Sequence, residues 1–332
     1  MLLDSPRAWK EGKTMPNHIL VPLDGSHLAE CVLPHAAAIA RAFESRLTLL
    51  RVLAPPSSAG QLRPVNPLDW HIAKAEAQTY LDKWTARLWE AGTRTDNALV
   101  EGSVAERIIE FAQTHDVSLL VLGSHGQSGL SGWNISSIVQ KVILRAYMPM
   151  MIVRAYRPVS HDLAGFHYQR LLVPLDGSQR AECALPLAMA LARSHEARLL
   201  LAHVAHRPEM IRRAPPVRED VELADRIAKR NQLNASKYLE QIQTPPSLEV
   251  QTRLLISASA AAALHELIAQ ENVDLVVLSA HGHSGGTKWP YGSVALNLVT
   301  YGTSPLLIVQ DLSPAELAGT PAEAAAGESR GH

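Results

Sequence analysis

The chain carries the same unit twice. Leu20–Pro34 and Leu172–Pro186 agree at twelve of fifteen positions, and Ser118–Gly129 and Asp274–Gly285 agree at seven of twelve. Asp24 and Asp176 lie 152 residues apart, whereas His125 and His281 lie 156 apart. A duplication, with about four residues gained late in the second copy, accounts for both spacings. A repeat of this length fixes the domain count before any finer reading. The expected layout is one domain over 16–155, a linker over 156–169, a second domain over 170–311 and a disordered Ala/Gly/Glu/Pro tail over 312–332.

Each copy reads as strands alternating with helices. Continuously apolar strands such as His18–Leu23, Leu119–Gly123 and Arg170–Leu175 favour a parallel sheet covered on both faces. Leu33, Ala36, Ala37 and Ala40 share one face of a helix after the first strand. Asp69 is placed to cap a long helix whose apolar face is Ala73, Ala77, Tyr80, Trp84 and Leu88. Val104, Ile108 and Phe111 line a later helix, and the second long helix is expected over 218–241. The fold class is therefore α/β, with two doubly wound, parallel five-stranded sheets related by a pseudo-two-fold repeat.

Composition narrows the function. A net charge of −1, from 31 basic and 32 acidic side chains, gives no electrostatic footprint for nucleic acid. No apolar run reaches the roughly 18 residues of a membrane span, and 1–17 lacks a secretory leader, so the expectation is a cytoplasmic protein. Cys31 and Cys183 occupy matching places and are expected as buried free thiols.

In open α/β sheets ligands bind beyond the carboxyl ends of the strands, where the strand order reverses. Strand one of each copy ends in Asp-Gly-Ser (24–26 and 176–178), and strand four runs into a Gly loop and then a helix. A carboxylate would then face a helix N-terminus, a pairing suited to ribose hydroxyls and phosphates. The competing reading makes Asp24 and Asp176 turn residues and the glycines tight-turn residues.

The tandem unit resembles the universal stress protein family over about 16–310. That family's pattern is Gly-x2-Gly-x9-Gly-Ser/Thr after strand four, with an Asp closing strand one. Here the first copy has Gly123, Gly126, Ser136 and Ser137, with serine in place of the last glycine. The second copy has Ser279, Gly282, Gly292 and Ser293, with serine in place of the first. The resemblance implies a Rossmann-like, adenine nucleotide α-hydrolase-like fold and a bound ATP, ADP or AMP, with or without Mg. It implies that Asp24 or Asp176 lies near base and ribose, Val52 or Val204 beside adenine, and the Gly loop around the phosphates. It also implies an internal pseudo-dimer along Met148–Val153 and Pro305–Gln310, and a homodimer remains open.

Ser136 reads as an N-cap whose side chain intrudes on a phosphate position, which favours the second copy as the phosphate site. Lys288 there is either a phosphate contact or a solvated loop lysine, and Trp289-Pro290-Tyr291 would shape or block the site. His125 and His281 have no ligand partner at metal-binding spacing and are expected as hydrogen-bonded loop residues. Three functions compete: a nucleotide-binding stress or signalling protein, an interaction scaffold without nucleotide, and an ATPase. No catalytic residue or metal ligand is assigned.

Overall fold

The structure, a computed structural model, describes residues 15–54, 67–126, 135–155, 162–206, 218–283 and 290–311. The chain divides into two compact units between His167 and Tyr168.

The first half contains β1 (His18–Pro22), α1 (Leu33–Phe43), β2 (Arg46–Leu53), α2 (Pro67–Glu90), β3 (Thr95–Glu101), α3 (Val104–Thr114), β4 (Leu119–Gly123), α4 (Ser137–Arg145) and β5 (Met150–Val153). Its strands pair in parallel in the order β3-β2-β1-β4-β5. The second half contains β6 (Arg170–Leu175), α5 (Leu185–His195), β7 (Arg198–His206), α6 (Arg218–Gln241), β8 (Val250–Ser257), α7 (Ala260–Gln270), β9 (Leu275–Ser279), α8 (Ser293–Tyr301) and β10 (Leu306–Val309). Its order is β8-β7-β6-β9-β10, also parallel. In each half the order reverses beside the first strand, between β1 and β4 or between β6 and β9.

The central strands are dry. Ile19, Leu20 and Val21 of β1, and Leu171, Leu172 and Val173 of β6, are wholly buried, as are Leu119–Val121 and Leu275–Val277. At about 1.5–3 kcal/mol for each large apolar side chain, these strands anchor the positions of the loops that leave them. Cys31 and Cys183 are buried and not in a disulfide, and burial pushes the Cys31 thiol up to about 12. Among the described residues no helix is long and apolar enough to cross a membrane.

Three helical details differ from the sequence reading. The helix α2 starts at Pro67, so Asp69 sits in its first turn rather than at its cap. Proline is preorganised for a helix start, and with Pro67 as first helical residue the helix begins three residues before the start that an Asp69 cap implies. The buried stripe of α2 is Ala77, Leu81, Trp84 and Leu88, with Ala73 and Tyr80 only half-buried. In α3 the buried face is Ala105, Ile108 and Ala112. Phe111 is half-buried and stacks on His115, ring centres 3.8 Å apart. Part of the expected linker packs on the first half: the guanidinium of Arg41 donates to the carbonyls of Leu163 and Phe166. The tail 312–332 and the proline-rich loop 55–66 lie outside the described residues.

Candidate functional site

Both first strands end in the same turn. Asp24 Oδ1 accepts from Ser26 N at 3.0 Å and Ser26 Oγ at 2.6 Å, and Asp176 Oδ1 accepts from Ser178 N and Oγ at the same distances. Each serine Oγ then accepts from a backbone N–H three residues on, at Ala29 or Ala181. Gly25 and Gly177 sit at φ +81° and +82°, which a side chain resists. The turn reading of the two aspartates is thus true of one carboxylate oxygen.

The other oxygen faces the Gly loop. A Cβ placed on Gly126 would run into Asp24 Oδ2, and one on Gly282 into Asp176 Oδ2. In the second half Asp176 Oδ2 also accepts from His283 N at 2.6 Å. What glycine accommodates here is the approaching carboxylate rather than a special backbone angle, since neither Gly126 nor Gly282 has a positive φ. The motif's second glycine and the strand-one aspartate therefore form one structural unit, repeated in both halves.

The two departures from the motif behave differently. Ser279 takes the place of Gly123 without disturbing the strand, and its hydroxyl donates to the carbonyl of His281. A Cβ on Gly123 would meet the matching carbonyl, of His125, at 3.3 Å. The second departure lies at the helix start. Ser136 has φ −71° and ψ 158°, and its side chain caps α4 by accepting from Val139 N. Gly292 has φ −71° and ψ 167° and supplies no side-chain cap to α8. A Cβ on Gly292 would make only ordinary contacts, at 3.5 Å and beyond. Neither backbone angle nor protein packing demands glycine at 292. Its effect is that the residue at the start of α8 supplies no side chain to cap the helix N–H groups.

A cavity lies over each switch point. The second, of about 310 Å³, is lined by Asp176, Gly282, Gly292 and Ser293 and by the apolar side chains of Val204 and Leu264, with Tyr291. The first, of about 610 Å³, is lined by Asp24, Gly126 and Ser136 and by the apolar side chains of Val52, Val104 and Ile108. Both fall within the size range of small-molecule sites. Gly123 and Ser279 also line these cavities, while Ser137 is exposed and does not. Tyr291 is buried in the cavity wall, whereas Lys288 and Trp289 lie outside the described residues.

The histidines at the loop starts are buried and bonded. His125 Nδ1 lies 3.1 Å from Ser124 Oγ, which also accepts from Ala155 N. In the second half alanine replaces Ser124, and Asp311 stands where Ala155 was. The Asp311 carboxylate accepts from His281 N at 3.0 Å, lies 2.9 Å from His281 Nδ1, and reaches Arg180 at 3.3 Å. The sequence reading missed this carboxylate, since 30 residues separate it from the histidine. Among the described residues no three His, Cys, Asp or Glu side chains form a metal-binding group.

A further charged pair was also missed. Arg51 and His203 occupy the same place near the ends of β2 and β7, beside Asp24 and Asp176. The Arg51 guanidinium lies over Gly25, while the same space over Gly177 is open. Arg51 Nε and Nη1 are buried without an acceptor. Burial lowers its pKa from the ordinary arginine value, opposed by the charge of Asp24, and the group stays protonated at neutral pH. Burial also lowers the His203 pKa below 6.5, opposed by Asp176, which leaves the ring neutral at pH 7. The His203 ring packs edge-on against Tyr238, whose hydroxyl donates to Glu182 at 3.0 Å.

Comparison with known proteins agrees with the repeat. The universal stress protein family model matches twice, over residues 15–154 and 167–310. A universal stress protein of Mycolicibacterium smegmatis is 23% identical over 299 residues, covering 88% of this chain and 96% of its own. One from Methanocaldococcus jannaschii is 27% identical over 146 residues, covering 44% of this chain and 86% of its own. Among solved structures, a functionally unknown Pseudomonas aeruginosa protein superposes with a TM-score of 0.64 at 15% identity, covering 94% of this chain and 98% of that one. A universal stress protein from Archaeoglobus fulgidus gives 0.59 at 18% identity, covering 90% and 100%. At these identities the structural likeness speaks to fold alone, whereas the two family matches span most of the sequence. The chain belongs to the universal stress protein family and carries two copies of its domain.

Proposed function

We propose that the cavity at each switch point is an adenine-nucleotide site, and that the protein acts by binding nucleotide in stress response or signalling rather than by turning it over. The observation that carries this reading is the start of α8. Gly292 supplies no side chain to cap its N–H groups, and they border the same cavity as Asp176. An uncapped helix N-terminus favours an anion both through its free donors and through the helix dipole. Phosphate would take the N–H groups of the first turn of α8, from Ser293 to Ala295, a ribose hydroxyl would donate to Asp176, and the base would lie against Val204 and Leu264. ATP, ADP and AMP share these features. In the first half Ser136 occupies one of the corresponding donors itself, so the second half is the tighter phosphate site.

The experiment is to denature the purified protein and chromatograph what is released, alongside equilibrium dialysis of the intact protein with labelled ATP. Release of adenine nucleotide, or saturable binding of up to two equivalents per chain, is expected. Neither release nor saturable binding would leave the scaffold reading in its place.

A further inference from the structure

We propose that residue 51 in the first half and residue 203 in the second set how strongly each cavity prefers a more highly charged nucleotide, with arginine favouring triphosphate over monophosphate and histidine weakening that preference. This rests on the nucleotide reading above and adds to it a difference in selectivity between the halves.

The two positions are equivalent in the sheet. His203 pairs in register with Leu175, one residue before Asp176, and Leu50, the residue before Arg51, accepts from Leu23 N, one residue before Asp24. Each side chain therefore stands beside the strand-one aspartate that faces the Gly loop. In the first half the guanidinium lies against Gly25 and offsets the Asp24 charge. In the second half Asp176 accepts from Ser178 and His283 backbone and hydroxyl donors. Among the described residues no cation stands within 4 Å of it. The remaining charges nearby match between halves or cancel: Glu30 and Glu182 each adjoin a tyrosine, at Tyr80 and Tyr238, and Asp311 is met by Arg180. Among the described residues, the strand-end group around Asp24 thus includes a cation that offsets its charge, and the group around Asp176 does not.

A charge difference of this kind acts more on ATP than on AMP, because ATP brings about two more negative charges. One unit of charge acting over about 10 Å at the edge of a protein changes the ATP-to-AMP affinity ratio by about tenfold. The helix start and residue 51/203 then have separable roles. The uncapped α8 governs how tightly any phosphate is held, and the arginine or histidine governs the ratio between phosphates.

The exchange Arg51→His and His203→Arg tests this, since each variant installs the residue that the other half already accommodates. The open space over Gly177 admits the longer side chain. ATP and AMP affinities are measured by calorimetry on the full chain, at about 0.15 M salt and again at 0.5 M. His203→Arg should raise the ATP-to-AMP ratio of the second half about tenfold, and Arg51→His should lower that of the first, both effects shrinking at high salt. Nucleotide binding with an unchanged ratio in His203→Arg would overturn the selectivity proposal alone. Absence of saturable binding of either nucleotide to any of the proteins would overturn the nucleotide reading and this proposal together.

Discussion

The helices that follow the fourth strand of each half begin with nearly the same backbone angles, yet one begins on Ser136 and the other on Gly292. Their first N–H groups are tied back in the same way, Ser136 N to the Ser124 carbonyl and Gly292 N to the Ala280 carbonyl. What differs is the donor three residues on: Ser136 takes Val139 N with its own side chain, and Gly292 has no side chain to take the matching Ala295 N. The other motif departure, Ser279 for Gly123, changes almost nothing, because its hydroxyl finds the carbonyl of His281. A motif residue can therefore be lost at no structural cost in one place and with a direct effect on ligand donors in another. The two halves serve as each other's control.

The largest expected effect comes from the partner that only the second half has. Asp311→Ala removes the carboxylate that accepts from the buried His281 and from Arg180. A loss of about 1.5–3 kcal/mol is expected in urea unfolding, since hydrogen bonds to a buried carboxylate are removed. The first half achieves the same loop with a neutral serine, so Ser124→Ala should cost only about 1 kcal/mol. Equal losses for the two variants would break the comparison.

Next comes the contact that both halves share. Gly282→Ala drives a methyl group into the Asp176 carboxylate and displaces it from His283 N. About 1–3 kcal/mol of stability should be lost together with nucleotide binding in that half, and Gly126→Ala should do the same in the first. Thermal melting and ATP dialysis on each variant check this. A variant that binds ATP normally would show that the carboxylate is not part of the site.

A smaller, pH-dependent difference separates α1 from α5. His35 of α1 packs edge-on to Phe166, ring centres 4.6 Å apart, and burial pushes its pKa down to about 3. The matching residue in α5 is Leu187, buried and apolar. A histidine kept neutral when folded takes up its proton only on unfolding, so its stabilising effect is present above pH 6.5 and declines as pH falls from there towards 3. The slope is at most about 1.4 kcal/mol per pH unit. His35→Leu should flatten urea stability between pH 6.5 and 4.5, and an unchanged slope would assign the acid sensitivity elsewhere.

The smallest effect is the helix cap itself. Ser136→Gly should cost only a few tenths of a kcal/mol in stability, because glycine is a tolerable N-cap, while uncovering a donor for phosphate in the first half. Tighter ATP binding to that half, with a nearly unchanged melting curve, is the expected result.

Much of this was legible in the sequence because the relevant signals are local. The duplication, the central strands, the Asp-Gly-Ser turns, the Gly loops and the capping role of Ser136 all follow from residues close together in the chain. The relations that were not legible join distant residues. Asp311 reaches His281 only once β10 lies beside β9, and Arg51 comes next to Asp24 only once β2 lies beside β1. The reason for Gly126 and Gly282 was also hidden. Sequence suggested close approach by a ligand, whereas the structure shows close approach by the protein's own carboxylate.

The central claim is that the open start of α8 is where a nucleotide phosphate is held. Equilibrium dialysis with ATP, comparing the unaltered chain with Gly292→Ser, tests it most directly. Serine fits the backbone angles at 292 and should cap the helix as Ser136 caps α4, so the fold is kept while the donor is taken. The account predicts a melting temperature no lower than that of the unaltered chain and a marked loss of ATP binding in the second half. Unchanged ATP affinity and stoichiometry in Gly292→Ser would contradict it.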